Sequence, residues 1–199
     1  TYHFSGTPRG PGQRWTGITH PDGSRETYEY SPFGQLIRVE DEMGRETRYE
    51  LDALGRTVGI KAPDGADTRV QYDSATGELA SVTNPLGHTR RWFHDAQGRL
   101  TEEVDEAGHA THYFYDDERL PDRPTRIRDA HGATKRLQWD TAGQLLAYTD
   151  CSGQTTEYRY DPRGNLVAVT NAEGQTMRHQ VDAVGRLQAV QHPDGAAER

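Results

Sequence analysis

Large apolar and aromatic side chains recur along this chain two residues apart with a polar residue between them. Tyr28 and Tyr30 flank Glu29, Tyr49 and Leu51 flank Glu50, Val70 and Tyr72 flank Gln71, Leu137 and Trp139 flank Gln138. Tyr158/Tyr160 and His179/Val181 do the same around Arg159 and Gln180, and Trp92/His94 and Tyr113/Tyr115 keep the spacing. Period-two alternation predicts strands with one apolar face. Each of these pairs falls five and seven residues after a glycine. A second kind of arm carries Leu36, Leu79, Leu100, Leu145, Leu166 or Leu187 two residues after its glycine. Val39, Ile60, Val82, Tyr148, Val169 or Val190 follows five after it. Two and five differ in parity, so a perfect strand would point these residues to opposite faces. A glycine bulge at the turn, or burial of both faces, would reconcile them.

The glycines give the period. Sixteen of the 21, from Gly23 to Gly195, alternate in steps of 11 and 10, with one step of 12 and one gap of 24. The repeat is therefore 21 residues long and holds two turns. One turn class follows the aromatic pair and opens on Asp52, Asp73, Asp95, Asp140, Asp161 or Asp182, with Ser31 substituting once. The other includes Asp41-Glu42-Met43-Gly44, Asn84-Pro85-Leu86-Gly87, Asn171-Ala172-Glu173-Gly174 and His192-Pro193-Asp194-Gly195. Asx first, Pro second and Gly fourth is the composition of a type I turn, in which the Asx side chain accepts backbone N–H groups. The five to seven residues left between turns suit a strand and are too few for a helix.

One copy departs from the pattern. Tyr115-Asp116-Asp117-Glu118-Arg119-Leu120-Pro121-Asp122-Arg123-Pro124 has no turn glycine and carries three extra residues, making residues 115–131 an irregular repeat. A longer, protruding hairpin loop is the plain expectation, and a partner-contacting loop the sharper one. Register should resume by Ile127. At the start, Tyr2 and Phe4 resemble an aromatic pair joined to Trp15 and Ile18 through a Gly/Pro-rich loop, Ser5 to Gly12. Both ends fall inside the pattern without polar caps, which predicts a segment of a longer polypeptide. The whole of residues 1–199 reads as one array. About seventeen arms at ~4.8 Å each would make a sheet roughly 80 Å wide. Without helices to cover a face, such a sheet must curl around something or close on itself.

Composition agrees. Hydrophobic residues are 32% and charged residues 27% of the chain, thin for a globular core but sufficient for a single-layer sheet. Periodic Tyr and Trp oppose the alternative of disorder. The net charge of -8, with scattered Lys and Arg, excludes a nucleic-acid-binding face. No apolar run is long enough for a membrane helix. Cys151 is single and sits in a turn, Asp150-Cys151-Ser152-Gly153, without a cationic setting that would activate it. His109 and His112 lie on opposite faces of a strand and His88 and His94 straddle another, with no third ligand at metal-binding spacing. No nucleophile elbow, phosphate loop or His-Glu-x-x-His occurs. The expectation is no catalytic residue, no metal ligand, no cofactor and no enzymatic activity in this segment.

Tyr160-Asp161-Pro162-Arg163-Gly164-Asn165-Leu166-Val167-Ala168-Val169 resembles the YD repeat of Rhs proteins, and Trp139-Asp140-Thr141-Ala142-Gly143-Gln144-Leu145 and His94-Asp95-Ala96-Gln97-Gly98-Arg99-Leu100 are looser copies. The likeness runs from about residue 15 to the end. It implies an all-β fold of repeated antiparallel hairpins forming part of a curled, hollow β-shell around a C-terminal toxin domain. It also implies a secreted bacterial effector, cytoplasmic before delivery, carried by type VI secretion or a toxin complex, in virulence or competition between bacteria. The implied partners are the remainder of the shell, the enclosed toxin, and secretion-spike proteins or chaperones, with no nucleic acid and no membrane. Asp161-Pro162-Arg163-Gly164-Asn165 is similar to the family's self-cleavage motif, but its spacing differs and its neighbours share its turn chemistry, so it reads as a turn. The alternative function is carbohydrate or cell-surface binding through exposed aromatic rings.

Overall fold

The computed structural model describes residues 1–5 and 14–198. Beyond Ser5, the predicted Gly/Pro-rich loop lies outside the described residues. The described residues form 19 strands and no helix, which establishes the all-β class. That is two more than the repeat count suggested, matching the terminal strands Tyr2–Ser5 and Ala197–Glu198. Two compact units are present: Thr1–Trp92 with Asp105–Ala107, and Phe93–Val104 with Gly108–Arg199. In each, successive strands pair antiparallel with their sequence neighbours.

Both turn classes close the same way. In the Asp161 turn, Gly164 N donates to Asp161 O and Asp161 N to Asn165 O, each at 2.9 Å. Gly164 has φ 87, and the Asp161 carboxylate accepts from Arg163 N and Asn165 N, each at 2.9 Å. The Asn171 turn repeats this, with Gly174 N on Asn171 O at 3.0 Å and Gln175 N on Asn171 Oδ1 at 2.9 Å. This is a three-residue hairpin loop built on a type I turn followed by a left-handed glycine. The Asp and Asn of the repeats are therefore spent on backbone.

A second bulge settles the parity question. Tyr160 pairs with Leu166 and Arg159 with Ala168, leaving Val167 without a partner, after which Tyr158 pairs with Val169. The bulge lies three residues beyond the glycine, not at the glycine itself. It recurs where Tyr28–Tyr30, Tyr49–Leu51, Val70–Tyr72, Leu137–Trp139 and His179–Val181 meet their partners. By carrying one extra residue, each bulge returns the +2 and +5 side chains to one face. That face holds the aromatic pairs and their apolar partners. The other holds charged residues, small residues such as Gly59, Ser81 and Ala168, and hydroxyl pairs such as Thr149–Thr155 at 2.9 Å.

No hydrophobic side chain among the described residues is fully buried; Ser81, at 8% exposure, is the buried polar residue. A single layer half-covers each side chain with its lateral neighbours and has no second layer to finish the job. Trp15 and Tyr28 stack at 4.8 Å, an example of lateral cover.

The irregular repeat rejoins the register where predicted: Ile127 pairs with both Tyr113 and Lys135. Its connection is a double turn, with Leu120 N on Asp117 O and Arg123 N on Leu120 O, each at 3.1 Å. Arg99 Nη1 donates to Pro121 O at 2.8 Å. The loop is thus tied back to the preceding repeat at Pro121.

Candidate functional surface

Repeat is joined to repeat by a side-chain clamp on the residue after the turn glycine. Arg56 donates through Nε to Asp52 Oδ2 at 2.8 Å and through Nη1 to Gly77 O, one repeat on, at 3.0 Å. Its guanidinium lies 4.1 Å over the Tyr72 ring, and Tyr72 Oη donates back to Thr57 O at 3.1 Å. Arg99 repeats the set on Asp95, Pro121 O and the Tyr115 ring at 4.6 Å, with Tyr115 Oη on Leu100 O at 2.8 Å. Gln144 reaches Gly164 O at 2.9 Å while Tyr160 Oη donates to Leu145 O at 3.0 Å. In the irregular copy, Arg123 lies 5.4 Å over Trp139, whose Nε1 donates to Pro124 O at 2.9 Å. The backbone N–H of Arg56 and then its guanidinium hold the Asp52 carboxyl below the usual range, and burial pushes the Tyr115 and Tyr160 phenols up.

The opposite face carries ion pairs. Arg38 meets Glu29 at 2.6 Å, Glu40 at 2.5 Å and Glu46 at 2.5 Å, and Glu46 also pairs with Arg48. The Arg48 contact, then that of Arg38, holds Glu46 down at about 2. Glu50 joins Lys61 at 2.9 Å and Arg69 at 2.5 Å.

Cys151 is exposed in its turn, where the Asp150 carboxylate is occupied by the Ser152 and Gln154 amides, each at 2.9 Å. The Asp161 carboxylate at the Asp-Pro bond is likewise occupied, its second oxygen accepting from Asn165 Nδ2 at 2.9 Å. His112 stands 3.8 Å from Glu102, and the His109 ring lies 6.2 Å from that of His131. The set that does come together was not predicted: His20, Glu26 and Glu42, whose donor atoms lie within 4.8 Å of one another. His20 Nε2 is 3.2 Å from Glu26 and 3.1 Å from Glu42, near the ~3.3 Å edge of a tetrahedral site with ~2 Å bonds. These residues could hold a divalent cation, although the other Glu26 oxygen is taken by Tyr28 Oη at 2.5 Å. That contact raises the Tyr28 phenol to about 12. Two turns one repeat apart and the strand after the first supply the set, so no local spacing announces it.

The profile of the RHS Repeat family matches residues 30–69, 72–110, 94–134 and 139–176. The chain belongs to the RHS repeat family. Among curated proteins it is similar to the toxin protein Tse5 of Pseudomonas aeruginosa, 41% identical over 151 residues, which is 76% of this chain and 11% of Tse5. This RHS segment therefore spans about a tenth of that relative. Among solved structures it resembles the crystal structure of TcdB2-TccC3-Cdc42, with a TM-score of 0.58 at 14% identity, covering 89% of this chain and 12% of that one. The crystal structure of TcdB2-TccC3 gives a TM-score of 0.45 at 14% identity, over 90% and 15%. The first likeness shows a shared fold and no more. The family match and the 41% identical relative establish the sequence resemblance to Rhs proteins.

Proposed function

We propose that this RHS segment is part of the wall of a hollow β-shell that encloses a C-terminal toxin until delivery. The observation that carries this reading is the clamped single-layer sheet: Arg56, Arg99 and Gln144 each tie one repeat to the next, yet no described hydrophobic side chain is fully buried. Such a sheet suits a wall, which is extended by repetition and gains its second layer from what it surrounds. The likeness to the Tse5 toxin supports a place in a secreted bacterial effector, cytoplasmic before delivery, working in virulence or competition between bacteria. On this reading residues 1–199 are one continuous array within a longer core, and type VI secretion, spike proteins and chaperones belong to the delivery step. Catalysis lies in the enclosed domain, with no catalytic or cofactor residue in this segment. Several rings are committed internally, Tyr72 and Tyr115 under arginines and Trp15 against Tyr28, which favours the wall over sugar stacking.

Electron microscopy of the full polypeptide containing this chain tests the proposal. A hollow particle with density inside is expected; a solid or extended particle overturns it.

A further inference from the structure

Arg126 and Arg136 stand directly opposite each other in neighbouring strands, on the face away from the aromatic pairs. Like charges so placed repel. The chain contains a second pair at the same register, Arg38 opposite Arg48, and there carboxylates remove the repulsion. Glu46 sits between the two, one oxygen on each guanidinium, while Glu29 and Glu40 take the remaining nitrogens of Arg38.

Around Arg126 all three acids are replaced. Phe114 holds the cross-strand position of Glu29, Arg128 the same-strand position of Glu40, and Thr134 the diagonal position of Glu46. Arg126 Nε is buried without a hydrogen-bond partner, and its guanidinium lies 4.0 Å over the Phe114 ring. Its nearest acid, Asp116, is 3.7 Å away and accepts from the Thr125 hydroxyl at 3.0 Å through the same oxygen. Asp117 is committed to Arg119 at 2.8 Å. Arg136 has no acidic partner among the described residues. The pair opens on a cleft of about 650 Å³, against about 550 Å³ for the equivalent cleft beside Arg38 and Arg48.

We propose that Arg126 and Arg136 form a receptor for a carboxylate of an acidic peptide segment, seated where Glu46 sits in the regular repeat. Two guanidinium forks facing one carboxylate give the strong, charge-assisted geometry that the chain itself displays at Glu46. Phe114 holds one fork in place, and the open cleft admits a side chain presented from outside. The site stands on this geometry alone and is independent of the shell reading.

The test is a titration of the 199-residue chain with hexaglutamate, following the arginine Nε–Hε resonances by NMR, with hexaglutamine and inorganic phosphate in parallel. Saturable shifts confined to Arg126, Arg128 and Arg136 are expected with hexaglutamate, none with hexaglutamine, and weaker shifts with phosphate. Arg136→Gln should weaken binding at least about tenfold, ~1.4 kcal/mol. Thr134→Glu, which installs the internal acid of the regular repeat, should weaken it as much while leaving the rest of the spectrum unchanged. Failure of hexaglutamate to bind, or equal binding by Thr134→Glu, overturns the site; tighter binding of phosphate overturns the peptide as its occupant.

Discussion

At the scale of single residues, two kinds of glycine do different work. Gly174 adopts φ 79 with open space where a Cβ would stand. Its replacement by Ala pays for backbone strain alone, roughly 1–2 kcal/mol. Gly17 has ordinary backbone, but a Cβ there would lie 2.4 Å from the Glu26 carbonyl oxygen. Gly17→Ala forces two paired strands apart and should cost about 1–3 kcal/mol. Urea denaturation of the two variants checks this, and an unchanged midpoint for either contradicts the account. The turn carboxylates set the response to acid. Backbone and side-chain hydrogen bonds lower Asp52, Asp161 and Asp182, and arginine contacts hold Glu46 near 2 against 4.5 unperturbed. A depressed folded value means the unfolded chain binds protons first. The stabilisation from Glu46 is therefore complete above about pH 4.5 and lost as the pH falls toward 2. Urea midpoints should stay level near neutrality and drop across that acid window; a midpoint that rises there would contradict the assignment.

At the scale of the element, the unit is the hairpin with its clamp to the next repeat. Tyr160→Phe removes one donor to Leu145 O and should cost about 1 kcal/mol. Arg56→Ala removes the cover of Tyr72, about 0.5–1 kcal/mol for the cation–π contact, together with the tie to Gly77 O. Because Arg56 lies over the Tyr72 ring, the double variant Arg56→Ala/Tyr72→Leu should lose less than the sum of the singles. Strict additivity in thermal denaturation would show that the two do not act as one clamp. Here the sequence was partly legible. The turns and the aromatic pairs could be read because each uses residues close in the chain. The clamp could not, because Arg56 and Gly77 are 21 residues apart. Its signal was present all the same: the recurrent Arg or Gln after the turn glycine is the residue that reaches forward. The irregular copy shows the same limit. Its missing glycine suggested a protruding loop, whereas Arg99 ties Pro121 back and Arg123 takes up the clamp of the next repeat.

At the scale of the whole molecule, the 21-residue period is the quantity to perturb. Deleting residues 150–170 removes two turns and two strands and joins Thr149 to the Asn171 turn, preserving strand parity and turn class. The shortened chain should unfold cooperatively, with an m-value lower by about a tenth, in proportion to the surface lost. Deleting residues 150–160 alone removes one turn and one strand, so the next strand enters in the wrong direction and the cooperative transition should be lost or broadened. Equal behaviour of the two deletions, by circular dichroism, would mean that the repeat is not the cooperative unit.

The sequence by itself determined the strands, both turn classes and the period, because each depends on side chains at fixed short separations. Asp161 and Gly164, three residues apart, carry the instruction for their own turn. Tertiary structure alone decided how the +2 and +5 residues share a face, because the bulge at Val167 exists only when its neighbouring strand is counted against it. It also decided which charges are satisfied. Arg38/Arg48 and Arg126/Arg136 look alike as letters, and only the cross-strand register reveals that one pair holds a glutamate between its guanidinium groups and the other does not.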